Sequence, residues 1–360
     1  MKNLFVAFFL ACSLSCLGNG PFSTHTFSSL VASTIRDAEV STTNGCITVD
    51  GNITSEAIIE MQVTVVNSGS FLFGGDSWSF FGLRNNRRNW SDEDIKQTIE
   101  EDFDISIKVE GGKLYAIAKT KKSCVQQQKL RICFKISVPS QVNSDLQTSN
   151  GKIQVGNLSG SHNFRTSNGS LVVENVSGKI VGRTSNGSLT VTNSGDDLNL
   201  TTSNGRITAK DSSGKIILRT SNGSVSMSNL NGDISATTSN SSVTANGVVG
   251  YLLVRTSNGR VRLNEISGSV NARTSNGGMT VTMGTVSNNV TLTTSNGGVN
   301  LTVPVANGYD LQAKGQSIVT SGLANFSGKK DNRNIEGRMG NGGARIAVNT
   351  SSGRVNLSFN

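Results

Sequence analysis

Histidine is almost absent from this 360-residue chain, and proline is nearly so: there are two histidines, His25 and His162, and three prolines. Two histidines cannot build a three-ligand zinc site, and no Cys-x-x-Cys occurs, so no metal is expected. Aromatic residues make up only 5 % of the chain, which would leave a broad globular core of this length poor in large side chains. No internal apolar run approaches the roughly 18 residues or more of a membrane span, so a multi-pass membrane protein is excluded. Acidic residues are scarce where the sequence repeats, which removes the calcium-binding nonapeptide with its recurring Asp. No nucleophile elbow appears, and no repeated Ser has a His or Lys at a consistent offset. The larger coils and clustered carboxylates of pectate-lyase-like helices are missing as well. The chain reads as a non-enzyme without a cofactor.

What it has instead is a short fixed period. The tetrad Thr-Ser-Asn-Gly, or a one-letter variant, starts at Thr148, Thr166, Thr184, Thr202, Thr220, Thr238, Thr256, Thr274 and Thr294, seven steps being 18 residues and the last 20. Such self-similarity marks a solenoid in which each unit is one coil stacked on the last. After every tetrad come two apolar positions one residue apart, such as Ile207 and Ala209 or Val225 and Met227, the alternation of a half-buried strand. Nine residues later a weaker pair follows a Ser-Gly or Asn-Gly, as at Ile216 and Leu218; His162 and Gly182 break its columns. The expected fold is all-β: a flattened parallel β-solenoid with 18 residues and two strands per coil.

Extending the alternation from Ile216 and Leu218 predicts that Thr220 and Asn222 also point inward. That makes a Thr ladder and an internal Asn ladder of Asn150, Asn168, Asn186, Asn204, Asn222, Asn240, Asn258, Asn276 and Asn296. Stacked about 4.8 Å apart, carboxamides can satisfy one another. The tetrad Gly is assigned a φ above zero, with Ser241 the one replacement. Sequons such as Asn168 and Asn186 would then be closed to glycosylation, which favours a bacterial exported protein.

Net charge is +9, and part of it is ordered. The residue before the tetrad is Arg165, Arg183, Thr201, Arg219, Thr237, Arg255, Arg273 and Thr293. Facing outward, these make a guanidinium stripe in which Thr201 and Thr237 relieve repulsion between rungs. It reads either as a ridge for glycans or other polyanions or as a solubilising edge. No specific nucleic acid is indicated.

Outside the repeats, residues 1–20 read as a signal peptide, with Cys12 and Cys16 in imperfect lipid-anchor contexts. Residues 37–147 form irregular N-terminal coils, 148–303 the regular array, and 304–360 irregular C-terminal coils ending at Thr350-Ser351-Ser352-Gly353. Strands are expected at 61–66, 105–109, 114–118 and 130–138, and one capping helix at 91–102. An aromatic and Arg-rich insertion, 68–90, offers Trp78, Arg87, Arg88 and Trp90 as candidate contact residues or as a cover for a solenoid end. Cys124 and Cys133 flank a short segment and suit a hairpin disulfide, leaving Cys46 over.

The Val138-Pro139 strand end leading into DLQTSNGKIQV, the TSNG units and the closing NGGARIAVNTSSGRVNL resemble a bacterial putative-adhesin family of unknown function. The resemblance runs from about Asp37 to the end. It implies a right-handed parallel β-helix, exported to the cell envelope and without catalytic residues. The functional expectation is an envelope or surface adhesin or scaffold making weak multivalent contacts with glycans or polyanions. Two alternatives stand beside it. An ice-binding array would use Thr190, Thr192, Thr208, Thr244, Thr280 and Thr282, interrupted by Lys210, Arg260 and Arg262; a polysaccharide-active β-helix enzyme would need a cleft of clustered charges.

Overall fold

The computed structural model describes residues 24–33, 35–53, 56–65, 91–121, 130–305 and 308–360, in two compact units, Met1–Gln154 and Val155–Asn360. The expected signal peptide, Cys12, Cys16, the 68–90 insertion and Cys124 lie outside the described residues.

The second unit is a parallel β-solenoid. Strands Ser159–Arg165, Ser177–Arg183 and Gly195–Thr201 pair in parallel, each residue opposite the one 18 positions on. In these coils a second, four-residue strand follows each tetrad, at Leu171–Glu174 and Leu189–Thr192. From Ile207–Arg219 onward the two merge into single 13-residue strands: Val225–Thr237, Val243–Arg255 and Val261–Arg273. The two apolar pairs of each coil are buried, Ile207, Ala209, Ile216 and Leu218 all at 0 % exposure. At about 1.5–3 kcal/mol for each large aliphatic buried, these columns hold the stack together. The 20-residue step is absorbed as a bulge. Gly268 pairs with Val286 but Val270 with Val290, and the surplus leaves Ser287, Asn288 and Asn289 exposed.

A third inward column was not anticipated. Leu158, Val176, Leu230, Val248 and Ile266 are buried at the bend between the apolar pairs, with Ser194 and Ser212 in the same column. Those serines are satisfied: Ser194 Oγ donates to the Thr192 carbonyl at 2.9 Å and accepts the Val176 N–H at 3.1 Å. His162 is buried one coil before Ile180, its ring stacked on Phe164 at 5.9 Å. Burial pushes its pKa down to about 4, against a smaller upward effect of a backbone hydrogen bond at Ser177. Opposite Phe164 sits Gly182, whose absent Cβ would fall 2.6 Å from Leu171 Cδ2 and 2.8 Å from Leu200 Cδ2.

The tetrad corner departs from expectation in two ways. Its threonines are buried as predicted, and Thr202 Oγ1 donates to the Gly187 carbonyl at 3.2 Å while accepting the Gly205 N–H at 3.1 Å. The asparagines of the ladder, Asn150, Asn168, Asn186, Asn204, Asn222, Asn240, Asn258, Asn276 and Asn296, are exposed rather than internal. The strand ends at Arg219 and the chain turns at Ser221, so the period of two that carried Thr220 inward does not reach Asn222. The ladder itself exists on the surface, Nδ2 of Asn204 meeting Oδ1 of Asn186 at 2.7 Å and Asn222 meeting Asn204 at 2.7 Å. Burial therefore gives no reason to exclude glycosylation at Asn168 or Asn186.

The second departure concerns glycine. No tetrad Gly has a positive φ. The constraint is proximity: a Cβ on Gly205 would lie 1.8 Å from the Gly187 carbonyl oxygen, and one on Gly223 1.7 Å from that of Gly205. Left-handed backbone sits at the opposite corner, at Asn157, Asn175, Asn193, Asp211, Asn229, Gly247 and Glu265. Asn and Gly tolerate that conformation best. This corner carries its own exposed ladder, Asn193 Nδ2 to Asn175 Oδ1 at 2.7 Å and Asn229 Nδ2 to Asp211 Oδ1 at 2.8 Å.

The end of this unit is stacked out of sequence order. Ala344–Thr350 pairs in parallel with Met279–Thr294 on one side and Gly308–Lys314 on the other. Arg354–Phe359 likewise lies between Val299–Val303 and Ser317–Ser321. Thr350 Oγ1 donates to the Gly297 carbonyl at 2.8 Å, so the last tetrad follows directly on the Thr294 coil. Residues between them form the next coil out and an antiparallel pair, Phe326–Lys330 with Asn334–Gly340.

The first unit repeats that device. Asp37–Thr42 pairs in parallel with both Lys113–Thr120 and Asn143–Thr148, and Thr148 Oγ1 reaches the Gly45 carbonyl at 2.9 Å. The tetrad Thr42-Thr43-Asn44-Gly45 is thus a true coil, with Asn150 bonded to Asn44. Antiparallel pairs Glu56–Val65 with Leu130–Pro139, and Phe103–Glu110 with Lys113–Thr120, complete it. The expected helix is Asp92–Asp102, with Ser91 and Asp94 forming a capping box and Ile95 buried. Cys133 is bonded to Cys46, not Cys124. Ile47 pairs with Phe134 in register, which brings the preceding residues of two parallel strands together; sequence separation favoured the shorter hairpin loop, and stacking overrides it.

Candidate polyanion-binding face

The alternation that buries Ile216 and Leu218 turns Ile217 and Arg219 outward. Repetition of that strand builds the stripe. Arg165 pairs with Arg183, Arg183 with Thr201, Thr201 with Arg219, Arg219 with Thr237, Thr237 with Arg255, Arg255 with Arg273 and Arg273 with Thr293. The five arginines are exposed and the threonines half-buried. Among the described residues none of the five has a carboxylate within ion-pair distance. Two pairs, Arg165–Arg183 and Arg255–Arg273, are immediate neighbours, an arrangement that costs a few tenths of a kcal/mol or more each.

The neighbourhood is uneven. Four residues before Arg165 through Arg273, the outward column reads Ser161, Lys179, Asp197, Lys215, Asp233, Tyr251 and Ser269 in register. Tyr251 and Val249, 42 % and 51 % exposed, stand out from this polar face. Beside Arg255 and Arg273 lies an open groove of about 600 Å³, lined by those two residues, Asn271 and neighbouring Ser and Thr residues, with no acidic residue in its wall. Sequence reading found the stripe but neither the groove nor the exposed Tyr251. The groove has no periodic signature, whereas Tyr251 breaks a column of Ser, Lys and Asp and was visible.

On the other face, Thr190, Thr208, Ser226, Thr244, Arg262 and Thr280 are in register, so an Arg interrupts the threonine array. Trp78, Arg87, Arg88 and Trp90 lie outside the described residues. Among those residues no three His, Cys, Asp or Glu side chains gather as a metal site, and no helix is long and apolar enough to cross a membrane.

The Toastrack DUF4097 family model, of unknown function, matches residues 182–358, a shorter stretch than the motifs suggested. Two solved structures are similar over nearly their whole length. A putative cell adhesion protein from Clostridium sporogenes is 11 % identical, with 92 % of this chain and 99 % of that one covered at a TM-score of 0.20. A putative lipid binding protein from Parabacteroides distasonis is 11 % identical, with 95 % and 98 % covered at a TM-score of 0.28. Scores this low carry no argument about ligand. No curated protein matches the chain significantly in sequence.

Proposed function

We propose that this chain is an exported, envelope-associated β-solenoid, an adhesin or scaffold that holds polyanionic glycans by weak, multivalent contact along the stripe of Arg165, Arg183, Arg219, Arg255 and Arg273. The observation that carries this reading is the register of five exposed guanidiniums without described carboxylate partners. A solubilising edge is the weaker account, because these strands are not edges: each is paired on both sides where Arg183, Arg219 and Arg255 stand. Edge protection needs charge where backbone groups are unpaired. Evenly spaced cations on a stiff ladder suit a charged polymer, since each further contact is made at high effective concentration.

The Cys46–Cys133 bond supports export, as disulfides persist in oxidising compartments. Retention on immobilised heparin and on lipopolysaccharide tests the reading. Arg183→Ser, Arg219→Ser and Arg255→Ser together should lower the eluting salt concentration markedly, because exposed charge contacts are screened. Unchanged elution at low ionic strength would remove the stripe from the function.

A further inference from the structure

Resting on that reading and narrowing it, we infer that the groove at Arg255 and Arg273 is a subsite for a carboxylated sugar chain, a polyuronate, with Tyr251 as a platform for one ring.

Three observations meet there. First, Arg255 and Arg273 pair directly across adjacent strands with no threonine between them. At an inter-strand spacing of about 4.8 Å their like charges repel, and an anion placed between them relieves both. A planar carboxylate matches the guanidinium fork in two parallel hydrogen bonds. Second, the groove wall supplies Asn271 and the exposed serines Ser239, Ser257 and Ser275 but no acid. That chemistry exchanges hydrogen bonds with a hydroxyl-rich ligand and does not repel an anionic one. Third, the outward residues of this same strand are Val249, Tyr251, Leu253 and Arg255, with Leu253 beside Asn271 of the groove.

Tyr251 lies four residues before Arg255, about 13 Å along the strand. A bound chain with one carboxylate between Arg255 and Arg273 therefore extends over Leu253 to the tyrosine ring. Tyr is suited to that place because it offers an apolar face and a polar tip. Asp233 and Ser269 flank it in register and can accept or donate to sugar hydroxyls. A structureless polyanion such as polyphosphate would use the arginines and leave Val249 and Tyr251 in water.

The other neighbouring pair, Arg165 and Arg183, is an internal control. It has the same register, but Ser161 stands where Tyr251 does, four residues before the first Arg, and Lys179 where Ser269 does, so no ring is offered there. The test is calorimetric titration of the full chain with a galacturonate oligomer, with its methyl-esterified form and with polyphosphate. Arg255→Ser with Arg273→Ser should weaken galacturonate binding about tenfold or more, a loss at least about threefold greater than that from Arg165→Ser with Arg183→Ser, which removes stripe charge alone. Tyr251→Ser should weaken it roughly fivefold and keep that effect in high salt, where stacking is unscreened. Polyphosphate should be indifferent to Tyr251→Ser.

Equal loss for the two arginine pairs, or no effect of Tyr251→Ser on galacturonate, overturns the subsite and leaves a plain polyanion stripe. Equal affinity for the esterified oligomer overturns it too. If neither galacturonate nor polyphosphate binds at low salt, the broader polyanion reading fails with it.

Discussion

The two corners of each coil solve one problem by opposite means. At the tetrad corner, φ stays in ordinary territory and the backbones of successive coils touch, so that glycine is required for space: a Cβ on Gly187 would stand 1.7 Å from the Gly169 carbonyl. At the opposite corner the backbone turns left-handed at Asn157, Asn175, Asn193, Asp211 and Asn229, and space matters less than conformation. One corner is specified by what is absent from a side chain, the other by which side chains tolerate an unfavourable φ. That explains why the first reads as a near-invariant motif and the second varies among Asn, Asp, Gly and Glu.

If that contrast is right, Gly205→Ala should be the most damaging change, about 4 kcal/mol, because the methyl meets backbone that cannot swing away. A shift in urea midpoint worth less than about 1 kcal/mol would abolish the distinction.

Acid provides the next largest effect and tests the stretch between the corners. The tetrads contain no titratable group, so their corners should be indifferent to mild acid. His162, its pKa held down at about 4 from an ordinary 6.5, is neutral in the fold. A depressed folded value means that its contribution is complete above pH 6.5 and is lost as pH falls towards 4. The loss approaches about 3 kcal/mol. Thermal melts at steps between those pH values should show it, and His162→Ile, copying the in-register Ile180, should flatten the curve. A slope that survives the substitution would place acid sensitivity elsewhere.

Thr202→Val should cost about 2 kcal/mol. It leaves the Gly187 carbonyl and the Gly205 N–H without their shared hydroxyl while keeping the packing; a neutral result would reduce the buried threonine to a spacer. Smaller still, and of opposite sign, are two repairs. Ser241 occupies a tetrad Gly position and interrupts the Gly-to-Thr hydrogen bonds seen at Gly223 and Gly259. Ser241→Gly should stabilise by about 1 kcal/mol. Glu265, at φ 54 in the left-handed corner, should gain roughly 0.5–1 kcal/mol on replacement by Asn. Denaturant midpoints decide both, and a Gly205→Ala penalty matched by no gain from Ser241→Gly would blur the comparison.

Most of the fold was legible because stacking converts a period in sequence into a register in space. The apolar columns, the buried threonines and the arginine stripe needed only alternation within a strand. What alternation does not describe went astray. Asn222 was carried inward by a rule that ends with the strand at Arg219. Positive φ was assigned to the most regular glycine rather than to Asn157, Asn175, Asn193 and Asn229, whose 18-residue spacing was equally visible. Cys46–Cys133 joins residues far apart in sequence whose nearness depends on which strands are inserted between which. The groove beside Arg255 arises from shape, and periodicity carries no record of it.

The out-of-order coils at Asp37–Ile53 and Ala344–Phe359 have a kinetic consequence. Because each is clasped on both faces, Gly308–Lys314 has only its antiparallel partner Asn334–Gly340 until Ala344–Thr350 is made, and Ser317–Ser321 takes its parallel partner from Arg354–Phe359. Propagation at this end of the stack therefore cannot run in chain order, because the outer coil waits for strands that lie later in the sequence than itself.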